Sequence, residues 1–199
     1  MKPSIVGVVL VMLIAMLSNA RGAAFIVASQ GSGNVVLTGY GTINLSALSK
    51  FTDGIAVYAG FQGVLPAAEV GPNSTRIDIY VGQSIIAPAS IGTSTMFVPS
   101  DGGSGHFFGA SHFLGGMQQP AIAVPRGYAT GTSLSGTSFF LGESFSTLGI
   151  TPGVYQWTWG VGADADSLTF QAVPEPSTAI YLVLLVAGYI SIARRRLFG

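Results

Sequence analysis

A chain of 199 residues with 8% charged side chains and no cysteine has no disulfides, thiolate zinc site or cysteine nucleophile. The formal net charge is zero, but between Ala24 and Val173 three basic residues (Lys50, Arg76, Arg126) face seven acidic ones, a balance of −4. Such a body has no basic surface to hold nucleic acid.

The chain opens on Lys2, followed by an apolar run from Ile5 to Leu17 and then Ser18-Asn19-Ala20. A positive start, an apolar centre and small residues at the cleavage positions make a secretory signal peptide. Gly22-Ala23-Ala24 offers a second small-residue site. Residues 1–24 are therefore expected to act as a leader cleaved after Ala20 or Ala24, so that the body beyond it is exported.

Residues 25–172, about 150 in number, suit one domain able to bury roughly 70% of its unfolded surface. Glycine is 28 of 199, and short alternating runs recur between Gly, Pro and Asn. That pattern predicts an all-β class, with a single antiparallel β-sandwich of jelly-roll-like form. From Asn34 to Tyr40, Val35, Leu37 and Gly39 share one face. From Arg76 to Val81, alternation places Ile77, Ile79 and Val81 inward, and Arg76, Asp78 and Tyr80 outward. Ser100 to Gln119, rich in Gly, His and Phe, reads as a long loop. After the turn Thr151-Pro152-Gly153, the strand Val154–Trp159 puts Tyr155, Trp157 and Trp159 on one face. The loop Gly160 to Asp164 then leads into a partner strand from Ser167 to Ala172, with Leu168 and Phe170 on one side.

Candidate chemistry is sparse. A serine hydrolase needs nucleophile, base and orienting acid together in space, and only His106 and His112 can supply the base. No Gly-x-Ser-x-Gly elbow occurs in the body. His106, His112 and Asp101 lack a recognised metal spacing. Asp164-Ala165-Asp166 lacks the further oxygens of a calcium loop. Glu69 and Glu143 supply carboxylates of the kind a glycosidase uses, although spacing does not pair them. Tyr155, Trp157 and Trp159 admit two readings: a row of rings that stacks on sugars, or rings that pack the sandwich core. The expectation is a non-enzymatic protein without metal or cofactor. The alternative is a carbohydrate-binding module, its partner an exopolysaccharide, that uses those rings or the 100–119 segment. A hydrolase stands third.

The end of the chain is the most specific feature. Val173-Pro174-Glu175-Pro176-Ser177 precedes an uncharged apolar run from Thr178 to Ala193, closed by Arg194, Arg195 and Arg196. Each proline fixes its own φ and disfavours helix in the residue before it, so the motif should stay extended. Sixteen helical residues cover roughly 24 Å, a short span for a bilayer core of about 30 Å. Snorkelling arginines make up the difference. A basic flank favours the cytoplasmic side, which puts the body outside.

These residues resemble the PEP-CTERM sorting signal of Gram-negative bacteria: Val173 to Ser177 as the motif, 178–193 as the transmembrane helix and 194–196 as the basic end. The resemblance implies recognition by an exosortase, a transpeptidase-like membrane enzyme, with cleavage near the motif and release from the inner membrane to the envelope or extracellular matrix. The stretches Arg126 to Leu141, Leu148 to Gly160 and Ala163 to Phe170 are similar to bodies commonly attached to this tail, which bring no biochemical activity with them.

Overall fold

The computed structural model describes residues 23–113 and 119–173. The Ala20 site, Pro174 to Ser177, the predicted span 178–193 and Arg194 to Arg196 lie outside these residues. The described chain is almost wholly β. In order its strands are β1 (Ala24–Gly31), β2 (Asn34–Gly41), β3 (Ser49–Val57), β4 (Gly60–Gln62), β5 (Ala67–Val70), β6 (Thr75–Val81), β7 (Val98–Pro99), β8 (Gly102–Gly105), β9 (Phe108–Phe113), β10 (Gln119–Pro125), β11 (Leu134–Leu141), β12 (Gly153–Trp159) and β13 (Asp166–Val173). One helical turn, α1 (Phe145–Leu148), separates β11 from β12. A 3₁₀ turn, Gly162–Asp164, joins β12 to β13.

Two sheets result. The first has the order β12-β13-β1-β2-β11-β8 and the second β3-β6-β10-β9-β5-β4-β7. The chain crosses between them four times: after β2, after β7, after β8 and after β10. Apolar residues from both sheets, among them Ile26, Leu37, Phe61, Phe108, Ile122 and Phe170, join in one buried cluster. Burial between two layers is what stabilises a sheet with one apolar face. β1 and β2 form a hairpin whose turn residues Ser32 and Gly33 both have positive φ, at 53° and 77°. That geometry matches the right-handed twist of the flanking strands.

The expectation of purely antiparallel sheets needs correction at one place. β1 pairs antiparallel with β2 but parallel with β13, from Ala24 opposite Leu168 to Ser29 opposite Val173. A parallel neighbour requires a crossover. Here the chain leaves β11 and passes through α1 to the far edge before the β12–β13 hairpin folds back against β1. α1 is fixed locally by a capping box between Ser144 and Thr147 and by Gly149 in the left-handed region. Its buried Phe145 and Leu148 join the main core.

Two further expectations are corrected. The segment 100–119 is no long loop, since it carries β8 and β9, with Phe107 and Phe108 buried. Glycines admit this local close packing: a Cβ on Gly103 would collide with the carbonyl oxygens of Gly71 and Thr137. In β6 the alternation holds but the sides are exchanged. Tyr80 packs against the main core, and Asp78 shares that side and is fully buried. Ile77, Ile79 and Val81 instead join Ala121, Ala123 and Phe107 in a smaller cluster. The second sheet thus buries residues on both faces at β6 and β10, a case that period alone does not orient.

Candidate functional site

Each sequence-predicted site residue within the described region has a clear place. Trp157 and Trp159 are buried in the main core, and the indole N–H of Trp159 donates to the Asn44 carbonyl at 2.8 Å. Tyr155 is half-buried against the core, 6.2 Å from the Phe170 ring, with its hydroxyl donating to the Thr151 carbonyl. The three-ring sugar platform is therefore corrected: alternation did put the rings on one face, and it is the face that closes the sandwich. Ala24 is fully buried in β1 between Gly41 and Leu168, while the carbonyl of Ala23 accepts from Thr42. Val173 is the last residue of β13, paired with Ser29.

The histidines do not assemble a catalytic centre. His106 Nδ1 accepts from the backbone N–H of Ser135 at 3.2 Å. His112 Nδ1 is buried without a partner among the described residues, and burial lowers its pKa against a bond with the Pro66 backbone. Ser111 and His112, adjacent in β9, point to opposite sides of the strand. Asp166 is buried and accepts from the N–H groups of Asn44 and Ser167, so it fastens the 3₁₀ turn region to the 43–46 loop. Burial raises its pKa against those bonds. No cluster of three potential metal ligands exists among the described residues. No helix among them is long and apolar enough to cross a membrane.

Two carboxylates have environments of opposite kind. Asp78 is fully buried, with its oxygens accepting from Lys50 Nζ at 2.7 Å, Gly127 N at 2.9 Å and Gly54 N at 3.1 Å. Burial works to raise its pKa, but Lys50, those two N–H groups and Asp53 outweigh it and bring it down to about 2. The body's three basic residues gather here: Arg76 donates to the Gly54 carbonyl, and Arg126 pairs with Asp53 at 3.4 Å. Glu69, on β5, is buried on the side of the second sheet away from the main core. Burial pushes its carboxyl up to about 8, against a hydrogen bond from Ser111.

Strand charges thus sit in the second sheet. Among the described residues, the six strands of the first sheet carry one charged side chain, the buried Asp166. Their outward positions hold Ser, Thr, Gln, Val, Leu, Phe and Tyr, with Leu141 and Val154 among the most exposed. Cross-strand rows run from Thr169 through Phe25 and Tyr40 to Ser135, and from Gln171 through Val27, Thr38 and Thr137 to Ser104. The rings of Phe25 and Tyr40 stack at 5.6 Å, and Tyr40 is half exposed. Beside them lies an open groove of about 160 Å³, lined by the hydroxyl residues Thr38, Ser104, Ser135 and Thr137 over Gly39, Gly105 and Gly136. Ser104 and Thr137 hydroxyls lie 2.9 Å apart. Sequence reading missed this face because it depends on which strands become neighbours; only Val36 to Tyr40 hinted at it through the outward side of its alternation.

No family model, curated protein or solved structure matches this chain.

Proposed function

We propose that the chain is an exported, non-enzymatic protein of the cell envelope or extracellular matrix, delivered by its C-terminal sorting signal and processed by an exosortase-type enzyme. Its two-layer body is a cargo domain, which we read as jelly-roll-like in that the chain repeatedly switches sheets. The observation that carries the reading is the order of residues 173–196: motif, apolar run and arginines succeed one another in the sequence. The position of the last strand supports it. β13 runs up to Val173, the first residue of the motif, so the folded body reaches the start of the signal. Replacing Pro174, Glu175 and Pro176 by Ala is expected to yield a larger, membrane-retained species in the producing cell. Unchanged size and location on immunoblots of fractionated cells would refute the sorting role.

The leader cut is expected after Ala20. A cut after Ala24 would remove a fully buried residue paired on both sides, and with it the Ala23 carbonyl that accepts from Thr42. Intact-mass measurement of protein recovered from cells should therefore give a chain that begins at Arg21. A mass corresponding to a start at Phe25 would contradict this.

A further inference from the structure

We propose that the outward face of the first sheet is a docking platform for an uncharged polysaccharide chain, with a sugar ring stacked on Tyr40 and its hydroxyls bonded in the groove formed by Thr38, Ser104, Ser135 and Thr137. This goes beyond the sorting role and does not rest on it. Six strands at about 4.8 Å spacing and about 3.3 Å rise per residue make a face roughly 24 Å across and roughly 25 Å long. Protein surfaces commonly carry about a quarter or more charged residues. This face carries none among the described strand residues, while the other sheet carries Lys50, Asp53, Glu69, Arg76 and Asp78. Two ionisable groups lie at its margin: Asp101, whose carboxylate accepts from Leu141 N, and His106, held on Ser135 N.

The electrical character of the face selects its occupant. A charged polymer would lose water around its charges and find no opposite charge in return. A neutral glycan exchanges hydroxyl–water bonds for hydroxyl–hydroxyl bonds, at little net cost. The groove presents four hydroxyl side chains, two of them (Ser104 and Thr137) bonded to each other, a mix of donors and acceptors of the kind a sugar edge requires. Tyr40 supplies the apolar complement. One face of its ring meets Phe25 on β1, and its neighbour on the opposite strand is Ser135, at the groove. An aromatic ring braced by a second ring keeps its orientation and loses little freedom on binding.

The test uses the full chain in neutral detergent, run on native gels that contain hydroxyethyl cellulose, dextran or laminarin, with alginate as the charged comparison. At least one neutral glucan should retard the protein, and alginate should not. Tyr40→Ala should weaken that retardation at least fivefold, and Ser135→Lys, which places a charge in the groove, should abolish it. Val161→Ala, on an exposed loop residue, should behave as wild type. Near-ultraviolet circular dichroism checks that each variant keeps its packed aromatic core, and Thr38→Val provides a second groove variant if Ser135→Lys does not fold. Absence of retardation by all three glucans overturns the proposal, as does retardation undiminished in Tyr40→Ala. A dimer in sedimentation that Tyr40→Ala dissociates would also overturn it, and would assign the face to a second copy of the chain.

Discussion

Asp78→Ala is expected to lower the unfolding free energy by about 3–5 kcal/mol, a large part of what a domain of this size has. The carboxylate is fully buried and ties β6 to two other pieces of chain: Lys50 and Gly54 in β3, and Gly127 after β10. Removing it leaves two backbone N–H groups and an ammonium without their acceptor, and each buried orphan costs about 1–3 kcal/mol. It also frees the irregular part of β3, where the register against β6 shifts twice between Lys50 and Ile55. The pH dependence has a definite sign. The folded pKa lies near 2, below the ordinary 3.8. The ionised carboxylate therefore contributes stability above about pH 4, and that contribution fades as pH falls through 2, worth about 2 kcal/mol in all. Urea unfolding followed by the fluorescence of Trp157 and Trp159 should show Asp78→Asn much weaker than wild type at pH 7 and close to it at pH 2. Equal losses at both values would mean that the charge is not what Asp78 contributes.

Glu69→Gln should act in the opposite direction and stabilise the protein at neutral and alkaline pH. The folded carboxyl holds its proton up to about pH 8, whereas the usual value is 4.5. Between those values the unfolded chain has released a proton that the folded chain retains, so stability falls as pH rises. The slope approaches about 1.4 kcal/mol per pH unit, for a total on the order of 4 kcal/mol by pH 8. A glutamine keeps the shape, still accepts from Ser111 and does not ionise, so the slope should vanish. Thermal unfolding of both proteins from pH 5 to pH 8 measures it directly, and parallel curves would refute the assignment. Together the two carboxylates place the stability maximum of the wild-type body between about pH 4 and pH 5.

How much was legible in the sequence depends on the range over which each feature is determined. β12 and β13 were readable because a Pro-Gly turn, a period of two and a Gly-rich connection all lie within about twenty residues. The all-β class was readable from glycine content and short alternating runs. The side on which Ile77 and Ile79 fall was not, because the second sheet buries both faces there and Asp78 is made tolerable in the interior by Lys50, 28 positions away in sequence. The strands in 100–119 were hidden by glycines, which carry no alternation signal yet allow the backbones to approach. The chargeless face was hidden for another reason: its rows join residues from β1, β2, β11 and β13, up to 144 positions apart at Phe25 and Thr169.

The parallel pairing of β1 with β13 sets a timetable. During synthesis the N-terminal hairpin emerges first, with β1 bonded to β2 along one edge and its other edge open, a template for unwanted strands. Among the described residues that edge is filled only by β13 (Asp166–Val173), the last strand. No earlier segment closes it, and loop closure over nearly the whole body makes this the slowest pairing in the first sheet. Closure of the first sheet therefore waits until nearly every other strand of the described chain is available, so that the meeting of its first and last strands marks the moment at which β1 has no open edge left.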